Sequence, residues 1–414
     1  MVKVILQLYP VIPATREERI TKAPIGRDAD LYQQAIRDMP GLIKAADELG
    51  LWGVSGIEHH FHSEGYEIGP NPGLMNVYWS SFTKNMRVGQ LGYTITTHNP
   101  FRVAEDIAVI DHITQGRTFA GFSRGFQQRW TDVIGQNYGS KATKSPTGHT
   151  AEQLAAMTDE ERKAQFADDA INRSLFEENV NLVVDCWTQD SVERKEGRWQ
   201  VPVPYEEGIE WGMLATRELG APGEMDENNR IRRVSVTPSP YSDPHPPVFV
   251  ASNASLETVE FCGPRGFIPS YFSKIDTAAK FGQAYVDAAA RAGLDFKLGQ
   301  NQALCRWLQL AETEAEAREN VVKYDLDIYK DLYVGTTPMK MAEDPVDSVL
   351  NSGMWIGGSI EQVRDQFVEQ WKRLPAEYVV MPSHFAQQPA EDVIRQLELF
   401  MTHVKPALDE MTQY

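Results

Sequence analysis

A cluster of acid–base side chains follows directly behind an apolar run near the start of the chain. The stretch LWGVSGIEHHFHSEG carries five of them, namely Glu58, His59, His60, His62 and Glu64. Histidine titrates near neutral pH, so one positioned imidazole here can act as a general acid or base. We interpret His59 as the catalytic group. Glu58 and His60 are expected to fix its tautomer and its loop, and His62 and Glu64 to form a solvated rim.

Two other interpretations of this cluster remain open. Paired histidines bind zinc in many proteins, but in an extended chain His59 and His60 would point to opposite sides, and no HExxH motif follows. We therefore predict no metal site. The cluster can also be structural, with Glu58 holding a histidine by hydrogen bonding.

The motif GFSRG, residues 121–125, follows an apolar run and matches the G-x-S-x-G nucleophile elbow of serine hydrolases. In that interpretation Ser123 is the nucleophile and His384 could be its base. The elbow needs a helix directly behind the serine, and FQQRWTDVIGQNYG has no helical period. Arg124 favours another use, because a guanidinium at a strand end can bind a phosphate through two hydrogen bonds.

A second anion-binding signal lies in ASNASLET, residues 251–258, where a strand passes into a helix. Ser252, Asn253 and Ser255 offer hydroxyl and amide groups beside unpaired backbone N–H groups. Helix capping alone would explain Ser255. Together with Arg124 from the neighbouring strand, these residues favour a phosphate site. It would be of neither the Rossmann nor the P-loop kind, since the motifs of both are absent.

Alternating strands and helices position these residues. Eight short apolar runs predict strands at 2–8, 52–57, 86–95, 117–123, 246–252, 266–272, 301–310 and 378–383, with amphipathic patterns between most of them. This rhythm predicts the α/β class and one domain over 1–414, a TIM (β/α)₈ barrel with insertions at about 138–170, 191–245 and 325–356. The reactive face of such a barrel is the one where the strands end.

Composition narrows the class of protein. The 414 residues are 42% hydrophobic and 24% charged, enough for a large core. The formal charge of -18 argues against nucleic acid or an anionic membrane as a partner. Three scattered cysteines, and a start (MVKVILQLYP) too short for a signal peptide, suggest the cytoplasm. No apolar run is long enough to span a membrane.

Several of these motifs occur in an order that resembles the bacterial luciferase-like flavin monooxygenase family. They are EHHFHSEGYEIGPNP, MRVGQLGYTITTHNPFRVAEDIAVIDHITQGRTFAGFSRGF, PPVFVASNASLETVEFCGPRGF and the tail from IGGSIEQVRDQFVEQW onward. The resemblance covers residues 1–130, about 170–190 and 246–414. It implies a TIM barrel that binds FMN at its C-terminal face. It also implies reduced FMN from a separate flavin reductase, and a flavin C4a-(hydro)peroxide that oxygenates a small organic substrate.

The resemblance assigns roles by position. His59 matches the catalytic histidine, and Ser123 stands where luciferases carry a cysteine near the reactive carbon. Leu91-Gly92 falls where the family often has a non-proline cis peptide against the flavin ring. The other predicted cofactor contacts are Glu58, Arg124, Arg173, Ser252, Asn253 and Ser255. Arg124, Ser252 and Asn253 match phosphate positions, although luciferases carry a glutamate in place of Ser252.

Two other functions remain open, namely a deazaflavin-dependent oxidoreductase on the same barrel and a flavin-binding protein without turnover. Light emission is a further possibility within the family. Barrels of this family commonly pair through their first helices, and LMNVYWSSF, residues 74–82, carries more large apolar side chains than one helix face needs. We therefore expect a homodimer.

Overall fold

The protein was analysed as a computed structural model that describes residues 1–142, 156–252, 255–337, 339–412 and 414, with 162–166 and Ser252 described by their backbone alone. Eight parallel strands form its centre: β1 (Lys3–Leu8), β2 (Gly53–Gly56), β3 (Arg87–Gln90), β4 (Thr118–Ser123), β5 (Val248–Ser252), β6 (Ile268–Tyr271), β7 (Ala303–Cys305) and β8 (Tyr378–Ser383). Each strand pairs with the next, and β1 pairs with β8, so the sheet closes on itself. The predicted (β/α)₈ barrel is confirmed.

Eight helices follow the strands in turn. They are α1 (Ala29–Glu48), α2 (Pro72–Ser80), α3 (Pro100–Thr114), α4 (Asp159–Thr188), α5 (Leu256–Cys262), α6 (Ile275–Arg291), α7 (Ile360–Trp371) and α8 (Ala390–Leu399). A capping box formed by Ser359 and Gln362 begins α7. Shorter helices span Arg16–Thr21, Gln128–Ile134 and Lys405–Met411. Within the described ranges, no helix is both long and apolar enough to cross a membrane.

Alternating side chains build two layers around each strand, as strand geometry requires. On β1, Val4, Leu6 and Leu8 pack against the helices, whereas Ile5 lies in the barrel interior with Phe119 and Phe249. Gln7 follows the same alternation inward and is fully buried. The interior is therefore filled by side chains, and a ligand can bind only at an open end.

The segment 325–356, predicted to be irregular, is largely regular. Helical turns run from Glu314 to Thr336, a helix spans Pro345–Leu350, and strand Trp355–Ser359 pairs in parallel with Trp307–Ala311. The predicted strand 301–310 is thus two strands, broken at Arg306. Apolar side chains of this segment pack with residues after β1 and β2, so it covers the C-terminal face.

The two earlier insertions also contain regular elements. Helix α4 begins inside the predicted insertion 138–170, where Thr158 and Glu161 form a capping box. The segment 191–245 contains a small hairpin, Ile209–Glu210 with Arg230–Ile231, and a short helix, Thr216–Leu219. That the whole chain is one domain stays a prediction.

Candidate active site

The barrel brings the predicted site residues to one face. His59 follows β2, the Leu91-Gly92 bond follows β3, Arg124 follows β4, and Ser252 ends β5. These four strands are consecutive neighbours in the sheet. Because parallel strands end on the same side, residues far apart in the sequence meet at the C-terminal face, as predicted.

Glu67 is the charged partner of His59. Its Oε2 lies 2.8 Å from His59 Nδ1, although the two groups are not aligned as a hydrogen bond in this conformation. Burial raises the pKa of Glu67, but the attraction of His59 outweighs it and the pKa is about 2. The expectation that Glu58 and His60 orient His59 was wrong. Glu67 sits at a left-handed turn position, with φ 48°, and sequence reasoning missed it.

Glu58 instead ties the end of β2 to the segment after β3. Its Oε1 lies 3.0 Å from His60 Nε2 and 2.6 Å from His98 Nε2, and its Oε2 accepts from the Thr94 N–H at 2.5 Å. Burial raises the pKa of Glu58, but His98 and the hydrogen bonds outweigh it and the pKa is about 2. Burial lowers the pKa of His98, yet the charge of Glu58 raises it overall. A direct contact of Glu58 with cofactor stays a prediction.

His62 is buried rather than solvated, so its predicted place at the rim was wrong. Its Nδ1 lies 2.8 Å from the carbonyl oxygen of Tyr66, and its Nε2 2.7 Å from Gln127 Oε1. Burial, and after it the nearby His59, lower the pKa of His62. Glu64 does lie at the exposed rim, paired with Arg129 at 2.6 Å. His62 is therefore structural support beneath His59.

The Leu91-Gly92 peptide bond is cis, as the resemblance implies. Gln7 Nε2, from inside the barrel, donates to the Leu91 carbonyl oxygen at 2.9 Å. A Cβ atom added at Gly92 would lie only 2.4 Å from the backbone carbon of Gly121. Glycine is therefore the one residue that fits at this crossing of β3 and β4.

Among the described residues, no histidine is hydrogen-bonded to Ser123. Its Oγ lies 3.1 Å from Thr94 Oγ1 and donates to the Tyr93 carbonyl oxygen at 3.4 Å. Both ring nitrogens of His384 contact other groups, Asp325 and Tyr333. The serine hydrolase interpretation therefore lacks its general base.

Asp169, on α4, gathers the two predicted phosphate-binding cations. Arg124 Nη1 lies 3.0 Å from Asp169 Oδ1, and Arg173 Nη2 lies 2.8 Å from Asp169 Oδ2. Arg173 also pairs with Glu257 at 3.3 Å, and its buried Nε has no hydrogen-bond partner among the residues that the structure describes. We call Arg124, Asp169 and Arg173 the arginine clamp. Two guanidinium groups converging on one oxyanion fit a phosphate, with Asp169 standing in its place.

The second half of the predicted phosphate site is only partly described. Ser252 ends β5, its side chain is not described, and Asn253 lies outside the described residues. Ser255 caps α5, accepting from the Thr258 N–H at 3.3 Å and donating to Glu257 Oε2 at 3.0 Å. Helix capping accounts for Ser255, so its phosphate contact stays a prediction.

Aromatic rings surround His59, and a cavity borders the neighbouring His62. The rings of Tyr9, Phe126 and Trp130 lie 6.2, 6.3 and 6.1 Å from the imidazole. A cavity of about 570 Å³ opens next to His62, which stacks on His59 at 5.6 Å. This is enough room for a small organic molecule. In the part of the chain that the structure describes, no three His, Cys, Asp or Glu side chains are grouped as metal ligands.

The depressed pKa values of Glu58 and Glu67 predict acid-sensitive folding. Their ordinary value is 4.5 and their folded value about 2. The stabilisation is present above about 4.5 and is lost as pH falls toward 2, at roughly 3 kcal/mol for each carboxylate. Between pH 4.5 and pH 2, His98 is protonated in both the folded and the unfolded chain, so it does not change how the free energy of unfolding depends on pH there.

We expect urea unfolding at about pH 6 and about pH 3 to show this loss. The Glu58→Gln variant should lose less stability than the wild type between these two pH values, because one of the buried titrating carboxylates is gone. If the variant loses as much unfolding free energy between the two pH values as the wild type does, the assigned role of Glu58 is wrong.

Sequence comparison extends this picture. The profile of the family described as luciferase-like monooxygenase matches residues 18–378. The chain is 30% identical over 93 residues to the alkanal monooxygenase beta chain of Photorhabdus luminescens, covering 22% of this chain and 28% of that protein. It is 22% identical over 280 residues to 3,6-diketocamphane 1,6-monooxygenase of Pseudomonas putida, covering 67% and 64%. The chain thus matches less than two thirds of the length of either relative.

Solved structures share the fold. One is the oxygenating constituent of 3,6-diketocamphane monooxygenase from Pseudomonas putida, a type II Baeyer–Villiger monooxygenase in complex with FMN. It aligns with a TM-score of 0.67 at 19% identity over 98% of both chains. Another is a coenzyme F₄₂₀-dependent tetrahydromethanopterin reductase from Methanopyrus kandleri. It aligns at 0.56 and 14% identity over 98% of this chain and 99% of that one. Both likenesses concern the fold alone.

Proposed function

Because this chain belongs to the luciferase-like monooxygenase family, we propose that it is a two-component FMN-dependent monooxygenase. It takes reduced FMN from a separate flavin reductase and uses O₂ to oxygenate a small organic substrate. The observation that carries this proposal is the pairing of His59 with Glu67 on the same barrel face as the arginine clamp. One part supplies an acid–base group, and the other a place for a phosphate.

The side chains divide the work. Arg124 and Arg173 hold the phosphate in place of Asp169. Reduced FMN, when bound, supplies the two electrons with which O₂ is activated. With Nδ1 facing the carboxylate of Glu67, His59 keeps Nε2 to hold or move a proton at the reacting group. The aromatic rings of Tyr9, Phe126 and Trp130 exclude water from this side of the imidazole.

The substrate class follows from the relatives rather than from the pocket. The relatives act on an alkanal and on a diketocamphane, both carbonyl compounds. We propose an aldehyde or ketone as substrate here. The cavity beside His62 is lined by Ile20, Pro24 and Ile25 together with charged groups, so it can take an apolar body with a polar end.

A reductase-coupled assay tests the function. Purified protein is mixed with NADH, a generic flavin reductase, FMN and a panel of aldehydes and ketones under isotope-labelled O₂. We expect label in a product only when all components are present. Binding of the deazaflavin coenzyme without binding of FMN, measured by absorbance titration, would favour the alternative oxidoreductase. FMN binding without substrate oxidation over the whole panel would favour a flavin carrier.

We also propose that the chain forms a homodimer through α2 and α3. Leu74 on α2, and Val109 and Ile113 on α3, are exposed apolar side chains on adjacent helices. Light scattering should give twice the 46.6 kDa mass of the chain. Leu74→Asp should shift the mass toward the monomer. Leu219→Asp, at an exposed leucine outside these helices, should not. A concentration-independent 46.6 kDa species would rule out the dimer.

A further inference from the structure

His59 is the outer end of a continuous row of buried polar groups. Glu67 Oε1 accepts from the Tyr333 hydroxyl at 2.6 Å, and this hydroxyl lies 2.8 Å from His384 Nε2. His384 Nδ1 lies 2.7 Å from Asp325 Oδ1. Glu67, Tyr333, His384 and Asp325 are all buried. We call these four residues, together with His59, the buried array.

The row ends in a carboxylate. Asp325 Oδ2 accepts from Gln309 Nε2 at 2.8 Å and from Trp355 Nε1 at 3.1 Å. As a carboxylate, this group accepts both donors on Oδ2 and a third on Oδ1, from the Nδ1–H group of His384. In this arrangement the Nδ1 atom of His384 carries a proton. The position of this carboxylate is fixed from several sides.

Proton counting shows that the array stores one mobile proton. The Tyr333 hydroxyl has a single proton but two close neighbours, Glu67 Oε1 and His384 Nε2. Both contacts are hydrogen bonds only if a further proton sits on His384 Nε2 or on Glu67. In the first arrangement His384 is a cation and Glu67 a carboxylate. In the second, His384 is neutral and Glu67 is a carboxylic acid, which its pKa of about 2 makes the minor form.

From this geometry we infer that Tyr333 and His384 are positioning residues that move one proton toward or away from Glu67, and thereby set whether His59 holds a proton. In one direction a proton leaves His384 Nε2 for the Tyr333 oxygen while the Tyr333 hydroxyl proton passes to Glu67 Oε1. No electrons are exchanged and the total charge is unchanged. The inference rests on the proposed function only for the reaction that His59 serves.

The charge on Glu67 then controls His59. An ionised Glu67 2.8 Å away stabilises an imidazolium at His59, whereas a neutral Glu67 removes that attraction. The other titratable groups that face the two histidines are His62, 5.6 Å from His59, and Tyr9, 6.2 Å from His59 and 6.3 Å from His384. Burial raises the pKa of Tyr9 well above its ordinary value, so it stays neutral.

Nuclear magnetic resonance of the flavin-free protein tests the inference. With ¹⁵N-labelled histidine, the two ring nitrogens of His59 and His384 report their protonation directly. We expect Tyr333→Phe to convert His384 to its neutral form at neutral pH. The midpoint of the His59 titration should rise by about one pH unit, because Glu67 loses a hydrogen bond and the positive charge on His384 disappears. The pH dependence of coupled oxygenation should move by the same amount.

Tyr329→Phe is the matched control. Tyr329 belongs to the same helical segment, its ring also packs against Trp355, and its hydroxyl donates to the Lys340 carbonyl oxygen at 3.1 Å, outside the array. It should leave both histidine titrations unchanged. If Tyr333→Phe does not fold, Glu67→Gln decides, because loss of the carboxylate should lower the titration of His59.

Unchanged titrations of His59 and His384 in the folded Tyr333→Phe variant would overturn the inference, as would an unchanged His59 titration in Glu67→Gln. The outcome is separable from the function itself. If the titrations of His59 and His384 change together as expected but the protein does not bind FMN, the inference about the array holds and the proposed function is wrong. If the protein oxygenates substrate normally but the two histidines titrate independently, the proposed function holds and the inference is wrong.

Discussion

We expect the His59→Ala variant to lose about 10²–10⁴-fold in coupled substrate oxygenation, the usual contribution of one positioned acid–base group. FMN should still bind, because the arginine clamp is intact. Oxygen should still be consumed, because its reduction needs no imidazole, but it should leave as hydrogen peroxide. The measurement is the ratio of oxygenated product to peroxide per NADH consumed in the reductase-coupled assay.

The control for this variant has to avoid His62, which is buried and stacks on His59. His403 is an exposed histidine near the C-terminal end of the chain and is not one of the site residues described above. His403→Ala should keep the normal ratio of oxygenated product to peroxide. If His59→Ala also keeps normal coupling, the imidazole is structural and the assigned role falls.

The Arg124→Ala variant should bind FMN roughly tenfold to a hundredfold more weakly, since it loses a charge-assisted contact worth about 1.5–3 kcal/mol. The change also leaves Asp169 with one guanidinium fewer, so its negative charge acts more strongly against a phosphate. Riboflavin, which has no phosphate, should bind as before. Fluorescence titration of both flavins measures the difference.

Arg395→Ala provides the comparison for a lost guanidinium, because Arg395 is an exposed arginine on α8 paired with Glu312 and Glu316. It should change neither affinity. Equal losses of FMN and riboflavin in Arg124→Ala would show that Arg124 supports the fold of the site rather than the phosphate.

The frame of the site was readable from the sequence because it rests on local patterns. Strands such as β4 and β8 are short apolar runs between turns, and the observed bounds differ from the predicted ones by only a few residues. Once the strands are known, their C-terminal ends place His59 and Arg124 on one face. These local signals led to a correct barrel and to the placement of both residues at its C-terminal face.

The partners of the site residues could not be read in the same way. Glu67 reaches His59 because the loop after β2 takes left-handed conformations at Phe61, Gly65 and Glu67, which no hydrophobic period encodes. Tyr333 lies in a segment interrupted by π-helical turns. The apolar residues of this segment therefore do not repeat every 3.6 residues, as they would in a regular α-helix. Those contacts depend on tertiary packing.

Asp169 was missed for a related reason. It lies in a polar stretch that resembled a surface insertion, 45 residues beyond Arg124. In the fold this stretch is the start of α4, the longest helix that the structure describes, and its Asp169 and Asn172 contact Arg124 at the end of β4. Charge patterns alone do not distinguish a solvated helix face from one that points a carboxylate at a binding site.

If FMN binds through the arginine clamp as proposed, its binding has the character of ion exchange. The two guanidinium groups already hold an internal counter-ion, Asp169, so an arriving phosphate displaces one anion with another. The free energy of binding is then a difference between two similar terms, with the displaced carboxylate regaining its hydration. Such a site favours rapid turnover of its occupant over tight retention. A flavin that is reduced on one protein and reacts on a second has to bind to the second protein reversibly, which a site of this kind allows.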